Sequence, residues 1–148
     1  MKKAIVLGLS FFIIGTILGM KIFSLSKIED VFHSGTVYYF LQEGAYTSEE
    51  ILKENTDKFN IKLIEQEEDK FYVYLGITKD VENAKKIKKL YKEKGYELYI
   101  KEKYLSNEEF SSNITQFDLL ISSTNNKEEI LKILEVVFAN YEEIIKKQ

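Results

Sequence analysis

Tyr38, Phe40 and Gln42 alternate along one apolar run of the chain, and Tyr72 and Tyr74 alternate along a second. A period of two places each set on one side of an extended strand. Aromatic rings in such a row can lie against the apolar C–H faces of pyranose rings. A carboxamide beside them can both donate to and accept from hydroxyl or acetamido groups. Gly44 follows Gln42 by two residues and leaves room for close backbone approach, and Tyr99 and Lys101 repeat the spacing in a later run. The chemistry this set suits is non-covalent recognition of a sugar polymer. Its competitor is burial, with the same rings covered by the carboxyl-terminal segment and serving as core.

Other chemistries have little to stand on. The chain has no Cys, which removes thiolate nucleophiles, thiolate metal sites and disulfides. His33 is the only histidine, so neither a zinc site nor a His-based relay is expected. The acidic pairs Glu49-Glu50 and Glu142-Glu143 and the run Glu67-Glu68-Asp69 fall at a helix start, a helix face and a hairpin tip. None is patterned to hold two carboxylates across a glycosidic bond. No enzyme activity, cofactor or metal is therefore expected. Every basic residue is Lys, and the formal net charge of -3 argues against a nucleic-acid partner.

The elements that must position the aromatic set follow from periodicity and punctuation. Residues 36–43 read as a strand ending at a Gly44 turn. Thr47 and Glu50 form a capping box for a helix running to about residue 58, with Ile51, Leu52 and Phe59 as its apolar face. Residues 60–66 read as an edge strand, 67–70 as a hairpin tip and 71–77 as a central strand. Val81, Ala84, Ile87, Leu90 and Tyr91 recur at helical spacing up to a Gly95 stop, and residues 97–104 close with a fourth strand. The order is βαββαβ, which folds most simply as a ferredoxin-like, four-stranded antiparallel sheet with two helices on one face, an α+β fold. Alternation then turns Val37, Tyr39, Leu41, Phe71, Val73 and Leu75 toward the helices, and Tyr38, Phe40, Gln42, Tyr72 and Tyr74 to the open side.

Here the chain resembles the SPOR domain, the sporulation-related repeat. Gln42-Glu43-Gly44-Ala45-Tyr46 followed by a helix is similar to the first half of that family. The strand ending at Gly76, with Ala84 on the next helix and Lys94-Gly95-Tyr96 at its close, is similar to the second. The likeness spans residues 36–104. It implies a bacterial envelope module that binds peptidoglycan glycan strands in cell division or sporulation, with Tyr38, Phe40, Gln42, Gly44, Tyr72, Tyr74, Tyr99 and Lys101 as the binding set. The chain departs from the family where basic residues are usual on the third strand, having Tyr72 and Tyr74 there, and in Ile77-Thr78 after the second glycine.

Flanking segments complete the organisation. Residues 1–26 read as a cytoplasmic tip and transmembrane helix. Residues 4–20 carry no charge and the apolar run continues past Lys21 to 25, long enough to cross a bilayer. Lys2 and Lys3 ahead of it orient the amino terminus to the cytoplasm and the rest outside, on a single-pass membrane protein. A cleaved signal peptide ending near Ser24-Leu25-Ser26 is the alternative. Gly15 and Gly19 form a GxxxG within the span. Residues 27–35 read as a linker and 105–148 as a C-terminal helical hairpin. In it Phe110, Ile114, Phe117 and Ile121 form one stripe, and Ile130, Leu134, Val137, Tyr141 and Ile144 another. Such breadth must pack on something: the sheet domain, a protein partner or a second copy. A membrane-tethered scaffold that binds a partner through these helices is the alternative function.

Overall fold

The computed structural model describes residues 35–147. The expected transmembrane helix and nearly all of the linker lie outside the described residues. Within them the chain is an α+β fold of four antiparallel strands and four helices: β1 Thr36–Tyr46, α1 Glu49–Thr56, β2 Leu63–Glu67, β3 Lys70–Thr78, α2 Val81–Glu93, β4 Tyr99–Leu105, α3 Glu108–Ser123 and α4 Lys127–Ile144. The strand order is β2-β3-β1-β4, so β1 and β3 are central as expected.

Local chemistry sets the element ends, in places a residue or two from expectation. The α1 cap is Ser48 rather than Thr47: its hydroxyl accepts from the Ile51 N–H at 3.3 Å. The helix stops at Thr56, whose hydroxyl donates to the Leu52 carbonyl at 2.8 Å, and Ile51 faces solvent instead of the core. Asp80 caps α2, accepting from the N–H groups of Glu82 and Asn83 at 2.8 and 2.9 Å. Gly95 ends that helix at φ +90°, a conformation other residues rarely adopt, and the Tyr96 N–H returns to the Tyr91 carbonyl. Asn107 and Asn126 cap α3 and α4 in the same way as Ser48 and Asp80.

Gly44 is not a turn. β1 continues through it to Tyr46, and Gly44 pairs with Val73. Two irregularities absorb the extra length: pairing passes from Leu41↔Gly76 to Gln42↔Tyr74, which leaves Leu75 without an opposite residue, and then to Gly44↔Val73, which leaves out Glu43. These bulges reset the alternation, so Ile77 joins the opposite face from the one strict period two would give it. A Cβ on Gly44 would sit 2.9 Å from the Tyr46 hydroxyl oxygen, so the close approach this glycine permits is to the chain's own Tyr46 ring.

The sheet is buried on both sides. Leu41, Val73 and Leu75 form one core with Leu52, Phe59, Ala84, Ile87 and Leu90 from the α1 and α2 segments. Tyr38, Phe40, Tyr74 and Ile77 form a second core with Phe110, Ile114, Val137, Phe138, Tyr141 and Ile144 of α3 and α4. The α3–α4 hairpin is thus docked on the sheet, the first of the three ways its apolar stripes could be covered. β2 ends its pairing at Leu63↔Tyr74, and β3 past that point meets the hairpin instead: the Lys79 N–H donates to Asp118 of α3 at 2.9 Å. Ile121, Ile130 and Leu134 then carry the hairpin into the first core.

Candidate functional site

The expected site divides in two. Tyr38, Phe40 and Tyr74 stand on the same side of the sheet, as alternation requires, but that side is not open: all three are 0% exposed. Aromatic rings from the hairpin occupy the place expected for a sugar. Phe110 lies 5.4 Å from Tyr38 between ring centroids, and Tyr141 meets Phe40 edge-on at 5.7 Å and Phe110 at 5.5 Å. Phe40 and Tyr74 add an edge contact of 5.1 Å. These separations are those of favourable aromatic pairs in protein cores.

Gln42, Gly44, Tyr72, Tyr99 and Lys101 escape full burial. Gln42 has Tyr74 opposite it on β3 and Tyr99 opposite it on β4. The Lys101 ammonium lies 4.5 Å above the Tyr72 ring centroid, and Tyr99 is 65% exposed. What the fold leaves accessible is therefore a strip at one end of the sheet: a carboxamide, a phenol beneath a cation and a free phenol.

Lys103 and Glu65, on the two outermost strands, were not singled out by the sequence. Lys103 stands two residues past Lys101 on the same face. Its ammonium spans the sheet, lying 5.0 Å over Phe40 and 4.8 Å over Tyr74 and pairing with Glu65 and, at 2.9 Å, with Glu67. Burial alone would pull this lysine's pKa down. The hydrogen bonds the lysine donates to Glu65 and Glu67 outweigh burial and hold the pKa above its ordinary value. The Tyr141 hydroxyl donates to Glu65, and burial followed by that bond pushes the tyrosine up. The Lys146 ammonium donates to the Ile64 carbonyl at 2.7 Å, fastening the end of the hairpin to β2. The only hint available in the sequence was the i, i+2 repeat of lysines on β4.

A second polar knot fixes the hairpin at the β3–α2 junction. The Asp118 carboxylate accepts from the Thr78 hydroxyl, the Lys79 N–H and, at 3.4 Å, the Asn83 amide, which also donates to the Asp118 carbonyl at 2.9 Å. Burial raises the Asp118 pKa, with these donors opposing the shift. Lys79 donates to the Ser111 carbonyl at 2.7 Å and to the Thr115 hydroxyl at 2.6 Å, and Lys86 to the Ile121 and Thr124 carbonyls. Each donor has an acceptor, and the knot reads as a fastening.

Two groups on the covered face are left unmatched. The hydroxyls of Tyr38 and Tyr74 are buried with no hydrogen-bond partner among the described residues. Ser111 and Lys103 are near enough to perturb them without meeting hydrogen-bond geometry, and burial raises the pKa of both phenols.

Among the described residues no cluster of three or more His, Cys, Asp or Glu side chains is placed to hold a metal ion, and no helix is long and apolar enough to cross a membrane. Compared with known proteins, the chain matches no family model, no curated protein and no solved structure.

Proposed function

We propose that this chain is a membrane-tethered, extracytoplasmic and non-catalytic adaptor. In this reading a SPOR-like domain of ferredoxin-like arrangement is closed by its own C-terminal hairpin and offers the outside of that hairpin to a protein of the division or sporulation machinery. The observation that carries it is the burial of Tyr38, Phe40 and Tyr74 under Phe110 and Tyr141, because a face filled by the protein's own rings has no room for a glycan strand. Leu119, Leu120 and Val136 are the large apolar side chains the hairpin leaves exposed. The uncharged run at residues 4–20 supplies the tether, and Lys2 and Lys3 its orientation.

A second reading keeps the glycan strand as ligand and moves it to the uncovered strip. The exposed Tyr99, with Gln42 opposite it and Lys101 over Tyr72, favours it. Sedimentation of residues 30–148 with purified sacculi separates the two. The adaptor reading expects the protein to stay in solution. Retention that is lost in the triple variant Gln42→Ala, Tyr99→Ala, Lys101→Ala would establish the strip as a glycan site instead. Cross-linking of the full chain in native membranes should then capture one recurrent protein, and Leu120→Lys with Val136→Lys should abolish that capture without altering the circular dichroism spectrum.

A further inference from the structure

The two edges of the sheet are treated differently. β2 is five residues long, carries Glu65 and Glu67, and has its Ile64 carbonyl occupied by Lys146. These are the usual ways of blunting a strand that could pair with another chain. β4 is seven residues long, stands at the other end of the strand order, and receives no backbone hydrogen bond on its outer side over residues 99–103 from the described residues. Tyr104 and Ser106, which have contacts of their own, lie past that stretch. Lysines on an edge strand usually guard it. Here both point inward: Lys101 lies over Tyr72 of β3, and Lys103 reaches across to Glu65 of β2. What the edge shows to solvent is Tyr99 at 65% and Ile100 at 37% exposure.

We infer that β4 is a self-pairing edge, joining antiparallel to β4 of a second copy about a two-fold axis at Ile100. It goes beyond the adaptor reading by naming a second copy as partner, and it rests on the membrane tether of that reading. The register follows from charge. A two-fold axis normal to the sheet brings like faces together, so the axis must pass through a residue. Centred on Ile100, Ile100 meets Ile100, and each Tyr99 stands opposite Lys101 of the other copy, whose ammonium lies over its own Tyr72 and whose aliphatic stem is left for the Tyr99 ring to pack on. Centred on Lys101 or Lys103, lysine meets lysine. Centred on Glu102, glutamate meets glutamate and Lys101 meets Lys103 twice. Centred on Tyr99, the ladder runs off the strand after one residue. Of the axes within residues 99–103, only the one at Ile100 avoids like-charge opposition and has strand on both sides.

A ladder this short buries far less than the roughly 1,000 Å² expected of a stable interface, so it is weak between free molecules. Two copies held on one membrane are confined to a thin layer, which favours the pairing over that of free molecules.

The absence of Cys allows a direct test. Directly opposed residues in antiparallel strands have Cα atoms about 4.5–5.5 Å apart. A disulfide needs about 4.4–6.8 Å. Ile100→Cys in the full-length chain, oxidised mildly in membranes, should give a disulfide-linked dimer at least about tenfold faster than Ile51→Cys on the exposed side of α1, given the local concentration a shared edge creates. Glu102→Cys should lag behind Ile100→Cys. Slow cross-linking of Ile100→Cys while the protein sits in the membrane pellet overturns the edge and leaves the tether standing, as does equal cross-linking of all three variants. If the protein is instead found in the soluble fraction, the tether fails. The edge is then decided by the same three variants at about millimolar protein, where cross-linking selective for Ile100→Cys supports it and its lack overturns it.

Discussion

The two faces of this sheet are built from the same strands and buried to the same depth, yet they are chemically unlike. The face under α1 and α2 is largely aliphatic, with Leu41, Val73, Leu75, Ala84, Ile87 and Leu90 packed without polar demands. The face under α3 and α4 stacks Tyr38, Phe40 and Tyr74 against Phe110 and Tyr141. It also holds Lys103 paired with Glu65 and with the half-exposed Glu67, and leaves two hydroxyls without a partner among the described residues. An aliphatic face needs only to be covered. An aromatic face with polar tips needs a cover that answers each tip, and here Tyr141 finds Glu65 while Tyr38 and Tyr74 find no partner among the described residues. An aromatic stripe on a strand thus identifies a surface that something must meet, without saying whether that something is a ligand or the chain itself.

The aromatic face depends most on the Phe110 ring at its centre. Phe110→Ala should cost about 3–5 kcal/mol, the usual penalty for emptying an aromatic core position, read as a lower denaturation midpoint. Lys103→Ala should cost about 2 kcal/mol, below the 3–5 kcal/mol seen for fully buried pairs because its side chain keeps 16% exposure. It leaves Glu65 uncompensated. Tyr141→Phe, which takes the donor from Glu65, should lose about 1–3 kcal/mol, whereas Tyr74→Phe should be neutral or stabilising by about 1 kcal/mol because the hydroxyl it removes is unpaired. If Tyr74→Phe were as damaging as Tyr141→Phe, the two hydroxyls would not differ as described.

Alkaline titration probes the same contrast. Burial raises the phenols of Tyr38, Tyr74 and Tyr141, and pushes Tyr91 of the aliphatic face up to about 12. A group raised in the folded state from a value near 10 contributes stability that is complete below pH 10 and is lost as the pH climbs toward its folded value. Tyrosinate absorbance from these four residues should therefore appear in one step with loss of helical circular dichroism above pH 10. Replacing Tyr38 and Tyr74 with Phe should move that step upward.

The smallest effect lies outside both faces. Glu68, at the tip of the β2–β3 hairpin, has φ +56°, so Glu68→Gly should stabilise by about 1 kcal/mol in thermal unfolding.

Much of the architecture was legible in the residues. Alternation gave the strands and the correct side for Tyr38, Phe40, Leu41, Val73 and Tyr74, because side-chain direction in a strand is a local property. Helical spacing and Gly95 gave α2, and the broad stripes around Phe110 and Leu134 gave two helices that had to pack. The bulges at Leu75 and Glu43 were not legible, since they arise from pairing between distant strands. Nor was the role of Gly44, whose neighbour is a ring fixed by that pairing.

Residue types and their spacing alone establish an aromatic strand face, amphipathic helices after it, a lack of thiol chemistry and an apolar run ahead of residue 26. Those properties depend on residue type and near-neighbour spacing. It took the three-dimensional fold to show that the face and the helices pack on each other, that Lys103 crosses the sheet to Glu65, and that β4 stands at the sheet's edge. Contacts between residues such as Phe40 and Tyr141 depend on the path of the whole chain, and no local pattern carries that information.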